Sequence, residues 1–345
     1  MKKNFYSVLY LTLALLMCLI PSLGMLVFGE SAAAANEILA ERPQWNTPEG
    51  GLNRHVLNDV TDYLADRFAL RQEMVTLWAR LNSALLGSST EDQVVLGRDG
   101  WLYYAPTLAD YTGSSLEDAE LESIARHLAA IRQEAESRGA QFLFTVAPNK
   151  NSLHPEAMPA AYPNRHEAGN MARLLPYLEA YGIPYVDLFD PAIPYYRTDS
   201  HWTAQGAAMA ADRLLAAAGR ESAYTQGGFR AGETQHLGDL YEMLYPAGKG
   251  AEPEVLYTGT LRFEHLNAAR GGNALSIRTE GSGDGSLYCW RDSFGIALYP
   301  YLADAFHSAA FSRSTDYTLP EGDYDLVILE IVERNLPTLI QEDTP

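Results

Sequence analysis

The sequence predicts an α/β protein in which helices cover a mostly parallel sheet. Beyond residue 115, strand-like apolar runs alternate with helical patterns, the order expected when each strand is followed by a crossover helix. The run Ser286-Leu287-Tyr288-Cys289-Trp290 is β-prone and leads directly into a Gly-containing helical stretch, a strand–turn–helix context. The chain has 345 residues and 47% hydrophobic composition, ample for one large core.

The N-terminus begins with Lys2 and Lys3, and an uncharged apolar run follows from Phe5 to Phe28, ending before Glu30. It is longer than a signal-peptide core of roughly 7–15 residues, which favours an uncleaved transmembrane helix over residues 1–30. The alternative is a signal removed near Ser31-Ala32-Ala33-Ala34-Ala35. Lysines ahead of the run place the N-terminus in the cytoplasm and the rest of the chain outside, a single-pass protein of the cell membrane. Cys18, preceded by Met17, suits lipoprotein acylation poorly and reads as apolar filler. Cys289 is then the only cysteine of the outer part, so no internal disulfide is expected there.

Residues 31–93 read as a linker and an amphipathic helical stalk packed on the main domain. Val56, Val60, Leu64, Phe68, Leu77, Trp78, Leu81 and Leu85 recur at helical spacing as a helix pair. The domain from residue 94 opens with a hairpin, two β-prone runs around Asp99-Gly100. A helix from Ser115 to Arg138 follows, with Gly139 as its stop, then a buried strand from Gln141 to Ala147. Next come a helix near 167–181, a short strand from Pro184 to Leu188 and an Ala-rich helix from Ala204 to Gly219. Residues 220–285 look like an irregular insertion with short strands. The regular pattern returns with the Ser286 strand, a helix from Phe294, and strands near 307–311 and 324–331.

The formal charge of −19 argues against nucleic acid and anionic lipid as partners, since both require clustered Lys and Arg. The histidines show no paired metal-ligand spacing, and neither a metal nor a cofactor is expected.

Two segments carry candidate chemistry: Arg197-Thr198-Asp199-Ser200-His201-Trp202-Thr203 and Trp290-Arg291-Asp292-Ser293-Phe294-Gly295. A serine becomes a nucleophile when an imidazole takes its proton, and the imidazole needs a carboxylate to fix its tautomer. Asp199 and His201 share a side in an extended loop, although Asp-x-His is also a common surface turn. In parallel sheets the site lies beyond the carboxyl ends of the strands, where Asn149, Asp199 and Ser293 all fall. Asn149 and Lys150 can polarise an acyl carbonyl, and Pro-Asn is equally a turn pair. Arg334 either contacts substrate or pairs with Glu330 or Glu333. Trp202 and Trp101 either stack on a sugar or are buried.

Five ordered motifs resemble those of the DHHW proteins, relatives of the alginate O-acetylation proteins with SGNH-hydrolase-like domains. They are Val95 to Leu102; Ala147-Pro148-Asn149-Lys150 with Pro155-Glu156; Arg197 to Thr203; Arg291 to Gly295; and Glu333-Arg334-Asn335-Leu336. The resemblance runs from about residue 54 to the C-terminus. It implies an SGNH-type three-layer sandwich with permuted order, the Asp–His pair preceding the serine. It makes Ser293 the nucleophile, His201 the base and Asp199 its orienting carboxylate. Ser200 departs from the second position of the Asp-His-His-Trp signature, and Arg291 stands where ordinary SGNH esterases have glycine, which leaves the oxyanion donors unassigned.

The activity so implied is extracytoplasmic O-acetyl transfer, through a serine ester, to a hydroxyl of a cell-surface or exported polysaccharide. A polytopic membrane acyltransferase is the implied acyl source. A carbohydrate acetylesterase would use the same triad, and a non-catalytic glycan-binding module is the reading from another class.

Overall fold

A computed structural model describes residues 2–33, 38–113, 116–165, 169–267 and 272–341. The chain divides into two compact units, Met1–Val94 with Asp239–Gly250, and Val95–Gly238 with Ala251–Pro345.

The first unit contains α1 (Lys2–Phe28), α2 (Val56–Arg67) and α3 (Arg71–Leu86). A span needs about 20 consecutive apolar residues. Among the described residues no helix is long and apolar enough to cross a membrane, so the structure does not carry the membrane-spanning reading of the N-terminal segment. The expected helix pair forms and is broken at Leu70, whose φ of 61° is left-handed. Its apolar residues are largely exposed, Leu57, Leu77, Trp78 and Leu85 among them. Glu30 accepts from Arg42 at 2.7 Å and from Arg67 at 3.4 Å, tying the end of α1 to α2.

The second unit opens with a ribbon of β1 (Val94–Leu96) and β2 (Leu102–Tyr104), turned at Asp99 and Gly100 with φ of 55° and 79°. Then follow α4 (Leu108–Tyr111), α5 (Asp118–Ser137), β3 (Gln141–Ala147), α6 (Lys150–Leu153), α7 (Asn170–Ala180), β4 (Tyr185–Val186) and α8 (Ala204–Ala217). Helix α5 starts later than expected because Glu117 and Glu120 form its capping box; residue 115, the expected start, lies outside the described residues.

The segment read as an irregular insertion is more ordered than that. It forms a hairpin of β5 (Phe229–His236) and β6 (Glu252–Tyr257), between which the sequence carries α9 (Asp239–Leu244), assigned to the first unit. It also supplies β7 (Phe263–His265) and β8 (Ser276–Gly281), which extend the main sheet. The chain closes with β9 (Ser286–Trp290), α10 (Gly295–Ala305), β10 (Ser308–Ser312) and β11 (Leu326–Val332).

The seven strands run in the order β4-β3-β11-β9-β10-β8-β7. Neighbours from β4 to β10 pair in parallel, whereas β8 and β7 are antiparallel. Side chains alternate across a strand. Accordingly Phe142, Phe144 and Val146 pack with Ile124, Leu128 and Leu174 of α5 and α7, while Leu143 and Ala147 join the cluster built on α8 and α10. Helices on both faces give the three layers. Leu128 and Leu214 are fully buried, each worth about 1.5–3 kcal/mol. The parallel register aligns Val332 with Ala147 and Ser312 with Trp290, so the loops carrying Asn149 and Ser293 leave the same edge.

Candidate active site

The loop before α8 is closed by a bridge between Tyr195 and Trp202 and by Thr203 N–H donating to Pro194 O at 2.9 Å. Thr203 caps α8, its hydroxyl accepting from Gly206 N–H at 3.2 Å. Within this turn Asp199 Oδ1 accepts from both the His201 backbone N–H, at 2.9 Å, and His201 Nδ1, at 2.7 Å. The carboxylate thus fixes the imidazole and the backbone that carries it.

Ser293 stands on the turn between β9 and α10. Asp292 folds this turn: its Oδ1 accepts from Phe294 N–H at 2.9 Å, and its Oδ2 from Val332 N–H at 2.6 Å and Asn335 Nδ2 at 3.2 Å. Gly295 permits the close approach, since a Cβ there would lie 2.5 Å from Arg291 Cβ. Arg291 is buried and donates to the carbonyls of Gly272, Ala274 and Asp292, a structural position for a residue that replaces glycine.

The two loops meet with Ser293 Oγ 2.9 Å from His201 Nε2. Asp199, His201 and Ser293, separated by ninety-odd residues in sequence, therefore form one hydrogen-bonded line. Burial alone would raise the Asp199 carboxyl, but hydrogen bonds from His201 and His236 outweigh it and hold the group well below the usual carboxylate range. The imidazole packs against Phe294, ring centroids 4.7 Å apart.

The other candidates separate. Lys150 is buried against the histidine loop. Its buried ammonium donates to the carbonyls of Tyr196, Arg197 and Asp199 at 3.1, 3.0 and 2.6 Å, fastening the loop that holds the carboxylate. Trp202 is 1% exposed and donates to Phe294 O at 3.1 Å; it links the histidine and serine loops and cannot stack on a sugar. Trp101 stacks on Tyr103 instead. Asn149 is buried at the start of α6, its N–H on Glu333 Oε2 at 2.8 Å and its Oδ1 without a partner. Arg334 forms no ion pair with Glu330 or Glu333; its guanidinium lies over Tyr104 and Phe294, 5.3 and 5.4 Å from the ring centroids.

Three residues on or beside the β5–β6 hairpin join the site without a sequence signal. His236 Nε2 lies 2.8 Å from Asp199 Oδ2. Glu252 accepts from Thr198 N–H and Oγ1–H at 2.7 and 2.6 Å, and from Arg197 N–H at 3.1 Å. Gly238 passes so close to Thr198 that a Cβ would lie 2.3 Å from its carbonyl oxygen. Only tertiary pairing reveals them, because they are distant in sequence from the loop they grip.

Residues 94–262 match the family described as the SGNH hydrolase-like domain of acetyltransferase AlgX. The chain is 29% identical over 171 residues to the probable alginate O-acetylase AlgJ of Pseudomonas fluorescens, a match covering 47% of this chain and 42% of that protein. It is 29% identical over 155 residues to the protein of the same name from Pseudomonas aeruginosa, covering 43% and 38%. The match thus spans less than half the length of these curated relatives. Among solved structures, Bacillus cereus PatB1 superposes with a TM-score of 0.56 at 16% identity, covering 72% of this chain and 99% of that one. A DHHW family protein from Eubacterium siraeum gives 0.52 at 15% identity, covering 72% and 92%. At such identities the likeness is one of fold.

Proposed function

Because this chain belongs to the SGNH-hydrolase-like DHHW proteins, relatives of the alginate O-acetylation proteins, we propose that it is an O-acetyltransferase acting on a cell-surface or exported polysaccharide. The observation that carries the reading is the unbroken line from Ser293 Oγ through His201 to Asp199, at 2.9 and 2.7 Å.

In this mechanism His201 Nε2 takes the Ser293 proton as Oγ attacks the donor's acetyl carbonyl. Asp199 holds the proton on Nδ1 and stabilises the imidazolium, which then protonates the departing group. A polysaccharide hydroxyl, deprotonated by the same imidazole, attacks the acetyl-serine and carries the acetyl group away, and the imidazolium returns that proton to the departing Ser293 Oγ. Arg334, a cation set against Phe294, is the group assigned to the developing oxyanion, and Asn149 Oδ1, an acceptor with no partner among the described residues, is assigned to a hydroxyl of the bound sugar.

The acyl group would reach Ser293 from a polytopic membrane acyltransferase. Lys2, Lys3 and the uncharged run to Phe28 support an extracytoplasmic location with the N-terminus held at the membrane.

Incubation of the full chain with a serine-directed fluorophosphonate should label Ser293. Incubation with p-nitrophenyl acetate and surface-polysaccharide fragments should add the mass of an acetyl group to one of them. A correctly oriented acceptor reacts faster than bulk water, so the right oligosaccharide should also accelerate donor turnover. Rapid deacetylation of an acetylated fragment, with no gain on any acceptor, identifies an esterase. Absence of labelling by a folded protein favours a binding module.

A further inference from the structure

We infer that His236 is a positioning residue for acyl transfer, a second imidazole that holds the Asp199 carboxylate from the side opposite His201. The inference rests on the serine-relay reading above and concerns a residue outside the two sequence segments that define it.

Asp199 is 7% exposed, and both its oxygens are engaged: Oδ1 by His201, Oδ2 by His236 Nε2 at 2.8 Å. A buried carboxylate with one bare oxygen can turn about its terminal torsion or take up a proton, and either change loosens its hold on His201 Nδ1. An imidazole donating Nε2–H to that oxygen opposes both changes. His236 is itself held rigidly. Its ring stacks on Tyr196 with centroids 3.7 Å apart and planes 10° from parallel. Tyr196 is anchored in turn, its hydroxyl accepting from Val255 N–H at 2.9 Å. Glu252 grips Arg197 and Thr198 from the same hairpin. The hairpin therefore sets the register of the Asp199 loop and delivers a donor to the one carboxylate oxygen that His201 does not use. His236 never meets the reacting atoms and acts only through Asp199.

The test uses the full chain in detergent, with His236→Leu, His236→Gln and His236→Asn. A Gln amide nitrogen falls near the Nε2 position, whereas that of Asn falls near Nδ1. His236→Leu should lower kcat for p-nitrophenyl acetate, and the fluorophosphonate labelling rate, by about ten- to a hundred-fold with KM unchanged, the size expected for losing a hydrogen bond to a charged group. His236→Gln should recover most of that rate and His236→Asn should not. The downfield proton resonance of the His201–Asp199 hydrogen bond should move upfield in His236→Leu and return in His236→Gln. If His236→Leu does not fold, the Gln–Asn contrast decides. Wild-type rates and an unmoved resonance in His236→Leu, or equal rates in the Gln and Asn variants, overturn the inference. If wild-type protein fails to label at Ser293, the relay reading itself fails, and the resonance comparison still decides whether His236 holds Asp199.

Discussion

At the scale of single residues, the proposed chemistry is concentrated in three side chains joined by hydrogen bonds. Ser293→Ala, His201→Ala and Asp199→Ala are each expected to abolish acetyl turnover of p-nitrophenyl acetate, with Ser293→Ala plus His201→Ala no worse than either alone, because relay members act as a unit. Additive losses, or near wild-type turnover by Ser293→Ala, would remove the serine from the mechanism. A second residue-scale expectation concerns Glu330, buried beside the nucleophile turn and bonded through Oε2 to Asp292 N–H at 3.2 Å. Burial first, and then the charge of Asp292, hold its carboxyl well above the ordinary value. A folded value above the unfolded one means its contribution to stability is full below about pH 4.3 and is lost as pH rises through the folded value. Glu330→Gln removes that loss. Its Tm should gain on wild type progressively as pH rises above the unfolded value of about 4.3, and a pH-independent offset would contradict the assignment.

At the scale of elements, the β5–β6 hairpin governs the loop before α8, and Gly238 is its point of closest approach. Gly238→Ala places a Cβ 2.3 Å from Thr198 O, so backbone must move, at a cost of about 1–3 kcal/mol. Gly232→Ala on the same hairpin meets nothing closer than 3.3 Å and serves as the control. Melting and fluorophosphonate labelling should both fall in the first and hold in the second; matched behaviour would show that the approach is unimportant. The same contrast explains what was legible in the sequence. Strands β3 and β11 are largely apolar because both their faces are buried, and they announce themselves. Strands β7 and β8 are short and largely polar, Phe263–His265 and Ser276–Gly281, and lie toward an edge, so they read as irregular. Asp199 and His201 were legible because they share a turn, and Ser293 because a strand leads into it. His236 was not, since the bond to Asp199 closes across 37 residues of intervening chain. For Lys150 and Trp202 the sequence left a ligand-contacting role and a structural one both open. Burial decides whether a cation or an indole meets a ligand, and burial is set by packing.

At the scale of the whole molecule, the core has one cysteine on a central strand. Cys289 is buried and its thiol is pushed well above the ordinary value, chiefly by burial, so it is inert while the sheet is intact. Iodoacetamide should alkylate Cys289 only as the protein unfolds in guanidinium, its extent following the loss of circular dichroism, and modification in native buffer would mean that the sheet opens locally. The strand order has a further consequence, for the timing of synthesis. The strand between β3 and β9 is β11, which is made after both of them. On the ribosome, the carboxylate and the imidazole emerge long before the element that joins their half of the sheet to the serine's. A nascent chain thus lacks a joined sheet until β11 has emerged, and the proposed serine relay assembles only after that strand is free of the ribosome.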